Sequence, residues 1–171
     1  MAVTWNGAAV LAKVQAAAGQ GIDVGTKAVE AEAVRLIREG PKTGVVYTWI
    51  GTSKNDPARA FLVRAPQGHR FWAKLRPTPH QASDAGEAPA NDSGALIASI
   101  DSEVDRNKLL SSVSAAGLIP LFLEYGTRYM EPRPFMRVAA INKAKEIQAG
   151  VADEIAKALG SGRVQLLQAA E

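Results

Sequence analysis

The chain has 171 residues, 47% of them apolar by type, no cysteine, and a formal net charge of +3. One hydrophobic core can serve that length, the missing thiols exclude disulfides and thiolate metal sites, and Lys and Arg are too scattered for binding driven by a basic block. Nothing approaches the roughly 20 apolar residues of a bilayer span, and the start lacks a basic segment ahead of an apolar run, so a soluble protein without a targeting segment is expected.

The first forty residues read as helix, with Val29, Ala33 and Ile37 at four-residue spacing and Glu30, Glu32 and Arg35 on other faces. Gly19, Gly21 and Gly25 are expected to interrupt it. A short helix from about Gly7 to Ala18, within an N-terminal helical arm over residues 1–23, then precedes a longer one from about Val24 to Arg38, stopped by Gly40 and Pro41. Three runs rich in β-branched and aromatic residues follow, Val45 to Gly51, Arg59 to Arg64 and His69 to Arg76, separated by the turn-forming clusters SKNDP and APQG. They predict an antiparallel meander.

Residues 77–94 are dominated by Pro, Ala, Gly, Ser, Asp and Asn without a large apolar residue, which predicts a long exposed loop. Ala95 to Val104 and Leu109 to Ala116 read as two more strands about a polar turn at Asp105 to Lys108. The final helix is expected to begin at Pro134, to carry Ile147, Val151, Ile155 and Leu159 as a stripe, and to end at Gly160 and Gly162. Residues 163–171 form either an ordered arm or a frayed tail. The whole predicts one α+β domain: an antiparallel sheet of about four to five strands packed by a long N-terminal helix and a C-terminal helix. No internal repeat is visible.

Catalytic motifs are scarce. Asp92-Ser93-Gly94-Ala95 matches the active-site turn of retroviral-type aspartic proteases, but it follows Ala88-Pro89-Ala90-Asn91 rather than the apolar strand that makes paired carboxylates share a proton, so a plain turn is expected. The two histidines, His69 and His80, fall short of the three-ligand set of a catalytic zinc. There is no phosphate-binding Gly-rich loop and no G-x-S-x-G elbow. A protein without enzymatic activity, metal or cofactor is expected. Trp49, Phe61, Phe71 and Trp72 are expected in the core or an interface rather than stacked on bases, while Arg70, Lys74 and Arg76 recur at strand spacing and leave open a face toward DNA or an acidic partner.

The least generic segment is Leu121-Phe122-Leu123-Glu124-Tyr125-Gly126-Thr127, followed by Met130-Glu131-Pro132-Arg133-Pro134-Phe135-Met136-Arg137. Gly126 suits a turn at positive φ, Glu124 can accept hydrogen bonds from nearby amides or from Arg133, and Pro134 and Phe135 suit a helix start with an anchoring aromatic. The segment resembles the neck and tail-completion proteins of long-tailed phages and prophages, which pair a tyrosine, glutamate, glycine and threonine stretch with an arginine-proline-phenylalanine start of the last helix. Three further pieces match in order: Pro41-Lys42-Thr43-Gly44 with Tyr47; His80-Gln81-Ala82-Ser83 with Gly86-Glu87-Ala88-Pro89-Ala90; and Asn91-Asp92-Ser93-Gly94 with Leu96, Ser99 and Ile100. The resemblance covers roughly residues 27 to 160 and departs from the pattern at Arg137-Val138-Ala139-Ala140, where many relatives carry a proline. Asn55 to Arg76 is weakly matched.

The resemblance implies a structural virion protein that joins a DNA-filled head to a tail, as a homo-oligomeric ring around the DNA channel, with other connector, stopper and tail-tube or terminator proteins as partners. It would sit at the head-tail junction of the virion and in host cytoplasm during assembly. Genomic DNA would pass without sequence-specific binding, and no membrane is involved. The alternatives are a tail terminator capping the tube and a DNA-binding accessory protein with a β-sheet platform. Subunit-interface candidates are Gln81, Ser83, Glu87, Glu124, Tyr125 and Arg133; Gly44, Gly94, Gly126, Pro134 and Phe135 are expected to set turns and the last helix. Deleting Gln81 to Ala90 is expected to leave a folded monomer that fails to assemble.

Overall fold

The computed structural model describes residues 6–52, 61–64 and 70–168, and within these only the backbone of residues 49, 51, 52, 61–64, 71–77 and 161–168. The chain is α+β, with a long helix near each end.

Helix α1 runs without interruption from Gly7 to Glu39, its first turn capped by the Asn6 side chain, which accepts from the Ala9 amide at 3.2 Å. The expected break at the glycines does not occur, and residues 7–23 of the expected N-terminal arm continue into the same helix. The reason lies opposite them. A Cβ on Gly21 would sit 2.7 Å from Cα of Val151, and one on Gly25 would sit 2.8 Å from Cγ2 of Ile147, both on the last helix, α4 (Met136–Gln168). Each glycine costs a helix about 1 kcal/mol relative to alanine, and here that cost is offset by two backbones packing closer than any side chain would allow. α1 ends where the Gly40 amide donates to the Leu36 carbonyl at 2.9 Å, just ahead of Pro41.

Strands β1 (Val46–Thr52), β2 (Phe61–Arg64) and β3 (Arg70–Gln81) form an antiparallel sheet in the order β1-β3-β2. This is not a meander, because β3 is the middle strand. It runs through Pro77 and Pro79, which were expected to open the loop. The register steps from the pair Trp49 and Leu75 to the pair Tyr47 and His80, so the two prolines fall in an irregular stretch where no ladder amide is required of them. The start of the predicted strands at Arg59 and His69 lies outside the described residues.

The connection after β3 is not an exposed loop. Ser83, Ala88 and Pro89 are buried, Ala88 belongs to the core, and the Gly86 amide donates to the Pro132 carbonyl at 2.9 Å. Small side chains let this backbone lie flat against the helices, which a search for large apolar anchors does not reveal. Ala95 to Ala98 then forms a single helical turn, α2, where a strand was expected; Gly94 introduces it at φ 82°. Strands β4 (Ile100–Asp105) and β5 (Leu110–Ala115) pair in a second, separate sheet, their turn held by Asp105, whose carboxylate accepts from the amides of Asn107 and Lys108. Among the described residues five strands thus divide three and two, rather than forming one sheet. Helix α3 spans Leu118–Tyr125, and α4 starts at Met136, two residues after Pro134, and continues past Gly160 and Gly162.

The core gathers Val29, Ala33 and Ile37 of α1 with Ala88, Ile100, Phe135 and Ala139, and α1 packs on α4, β4 and β5. Full burial of side chains such as Ile37 and Phe135 contributes about 2 kcal/mol each. A polar clamp reinforces the helix pair: Glu32, nearly buried on α1, accepts Arg35 at 2.7 and 2.8 Å and Asn142 of α4 at 3.0 Å. Arg35 chiefly, then Asn142, hold the Glu32 carboxyl at a pKa of about 2.

Candidate functional site

The segment from Leu118 to Arg137 is a joint with two opposite characters. Its inner side ties helices together. The Gly126 amide closes α3 by donating to the Phe122 carbonyl at 2.8 Å, with Gly126 at φ 77°; a Cβ there would meet the Met130 carbonyl oxygen at 2.7 Å, so glycine is required twice over. The Thr127 amide donates to the Met130 carbonyl at 2.8 Å, the Arg133 amide donates to the Leu123 carbonyl at 2.6 Å, and the chain is thereby folded back along α3. Phe135 is then fully buried, and α4 begins.

Glu124 completes the joint. Its buried carboxylate accepts the amides of Phe135 at 2.8 Å, Met136 at 3.0 Å and Arg137 at 3.0 Å, supplying from α3 the cap that α4 lacks in its own sequence. A negative charge at the first turn also complements the helix dipole.

The outer side of α3 is apolar throughout. On a helix, Leu118, Leu121, Phe122 and Tyr125 fall within about 100° of one another, with Ile119 on the flank. All five are exposed, Tyr125 to 70%, and Tyr129 in the following turn to 88%, with the Arg128 guanidinium 5.4 Å over its ring. The opposite face carries the buried Pro120 and Glu124.

The expected interface residues divide accordingly. Tyr125 and Gln81, the last residue of β3, are exposed. Ser83 and Glu124 are buried, and the half-buried Arg133 donates from Nε to the Ser83 carbonyl at 3.2 Å. Glu87 accepts the Asp84 amide at 2.8 Å and the Thr43 amide and hydroxyl at 3.0 and 2.7 Å. Those bonds, the Asp84 amide first, hold its carboxyl below the usual range. Ser83, Glu87, Glu124 and Arg133 are therefore engaged within the chain, with Ser83 and Glu124 buried and Glu87 and Arg133 half-buried. Gly44 belongs to the same tie: its amide donates to the Ala82 carbonyl at 3.0 Å, and a Cβ would lie 2.5 Å from the Ser83 oxygen. Arg70 is exposed and opposite Arg64; Lys74 is opposite Ile50, and the side chains of Lys74 and Arg76 are outside the described residues.

A cleft of about 490 Å³ lies between residues 89–96 and α3, with Pro89, Leu96, Ile119 and Leu123 among its walls. His80 and Asp92 also line it, with Nδ1 and Oδ1 3.8 Å apart. Among the described residues no three of His, Asp and Glu gather into a metal-binding group, and no helix is long and apolar enough to cross a membrane. His69 lies outside the described residues.

Sequence reading missed the outward stripe, although its signal was present: four large apolar residues at i, i+3, i+4 and i+7. Compared with protein-family models, curated proteins and solved structures, the chain finds no match.

Proposed function

We propose that the chain is a structural subunit whose work is self-assembly, and that it serves as a head-tail joining (neck or tail-completion) protein of a tailed phage or prophage, forming a ring around the DNA channel. The observation that carries the assembly reading is the outward face of α3. Six exposed large side chains from Leu118 to Tyr129 present roughly 700 Å² at about 180 Å² for a fully exposed side chain. The four in the stripe contribute roughly 400 Å² of this, the size of the largest apolar patch on a typical monomer (about 300–600 Å²), a patch that is often a functional one. The phage assignment rests on the ordered resemblance of the motifs, whose densest part is this same segment.

A ring follows from heterologous contacts repeated about an axis. Other connector, stopper and tail-tube or terminator proteins are the proposed partners, and the small net charge suits a channel that passes DNA without gripping it. Electron microscopy of particles assembled without the protein tests this. Filled heads separated from tails are expected. Tails of uncontrolled length would favour the terminator alternative, empty heads would point to packaging, and intact particles would refute a joining role. Strongly salt-dependent DNA binding by the purified chain would favour the DNA-binding alternative.

A further inference from the structure

A second apolar surface is open on a different part of the molecule. Between α1, β5 and α4 lies a groove of about 290 Å³ whose walls include Ile22, Val29, Val113, Met136, Ala140 and Ile147. No charged residue lines it, and no residue of α3 does. Of its two polar members, Thr26 already donates its hydroxyl to the Ile22 carbonyl at 2.7 Å. Leu110 and Ile141, each next in sequence to a groove residue, are exposed, and so is Ala140 itself. The groove arises because α1 packs on both β5 and α4 while those two elements leave a gap between them.

Building on the assembly reading, we infer that the outward stripe of α3 in one copy seats in the α1–β5–α4 groove of a second copy. The occupant and the receptor match in chemistry. Both are largely apolar, neither is lined by a charged residue, and both include residues left exposed within one chain. The stripe alone exposes roughly 400 Å², and with Ile119 and Tyr129 beside it roughly 700 Å², close to the ~800 Å² that each partner contributes to a stable protein interface. Helix-in-groove docking uses anchors at i, i+3, i+4 and i+7, the spacing of Leu118, Leu121, Phe122 and Tyr125. Because stripe and groove are different surfaces, the contact is heterologous: each copy offers one of each, and a chain of such contacts closes into a ring when the rotation permits.

Two variants on exposed positions test this. The double substitution Leu121→Asp with Phe122→Asp spoils the stripe, and Ala140→Glu spoils the groove. By analytical ultracentrifugation the unmodified chain is expected to form oligomers, and each variant alone is expected to self-associate more than about tenfold more weakly. An equimolar mixture of the two variants is expected to form one-to-one dimers and nothing larger, since one intact stripe then meets one intact groove. Three results would overturn the inference: an unmodified chain that stays monomeric, an Ala140→Glu variant that assembles normally, or a mixture that stays monomeric although circular dichroism shows both variants folded. Assembly that tolerates Ala140→Glu would remove this contact while leaving the joining role to be judged by particle microscopy.

The absence of cysteine permits a second measurement independent of folding losses. Tyr125→Cys and Ala140→Cys, placed on separate copies and treated with a short bismaleimide, are expected to cross-link to each other. Linkage confined to pairs of the Tyr125→Cys chain would show a two-fold contact of stripe on stripe and contradict the inference.

Discussion

The seam between α1 and α4 and the outward face of α3 are both apolar helical surfaces, and they differ in what lies opposite. Along the seam, small residues face large ones: Gly21 against Val151, Gly25 against Ile147. At these contacts the two helices fit one another within the chain, and polar groups such as Glu32 and Asn142 are paired across the seam. On α3 large residues face solvent, held in place by a rigid joint on the other side. The contrast teaches that exposure here does not come from looseness: α3 is pinned by Glu124 and Gly126 so that its apolar side is presented rather than absorbed.

The comparison can be broken first on its internal side. Residues 81–90 were expected to be dispensable for folding, but they include buried Ser83, Ala88 and Pro89 and the Glu87 tie to Thr43. Deleting Gln81 to Ala90 is now expected to abolish the cooperative thermal transition; a sharp transition near the parent temperature would show the segment to be an appendage after all. Glu124→Ala orphans three amides at the start of α4 and is expected to cost about 3 kcal/mol in urea unfolding. A loss below about 1 kcal/mol would mean that water or a rearranged turn replaces the cap.

The seam's dependence on its glycines predicts opposite signs for one substitution at two places. Gly21→Ala forces backbone apart and is expected to destabilise by about 1 kcal/mol net, an overpacking cost of about 2 exceeding the helix-propensity gain of about 1. Gly150→Ala, with nothing within 4 Å of the new Cβ, is expected to stabilise by about 1 kcal/mol. Equal signs would undo the close-packing account. A smaller effect follows from Glu32. Its folded pKa of about 2 lies below the ordinary 4.5, so its contribution is fully present above pH 4.5 and is lost as pH falls toward 2. Comparing Glu32→Gln with the parent chain should show a stability difference at pH 6 that shrinks by pH 3; a constant difference would assign the effect to packing.

Much of the seam was legible in the sequence, and much of the joint was not. Val29, Ala33 and Ile37 declared the buried face of α1 by spacing alone, and Pro134 with Phe135 announced the last helix. The glycines of α1 were misread because local propensity says nothing of the partner that makes them favourable. The prolines in β3 were misread because their tolerance depends on a register irregularity set by another strand. α3 was seen only as a short apolar element: eight residues are too few for length to separate strand from helix. Glu124 was recognised as an acceptor for backbone amides, but the sequence does not say which helix it caps. That it is buried turned an expected contact residue into a strut.

The central claim is that α3 is held rigid in order to bind, and sedimentation velocity of the purified chain beside its Leu121→Asp, Phe122→Asp double variant tests it most directly. The account predicts an oligomer for the parent and a monomer for the variant, with melting temperatures within about 2 °C of each other. A variant that assembles as the parent does would contradict it, as would a parent that remains monomeric.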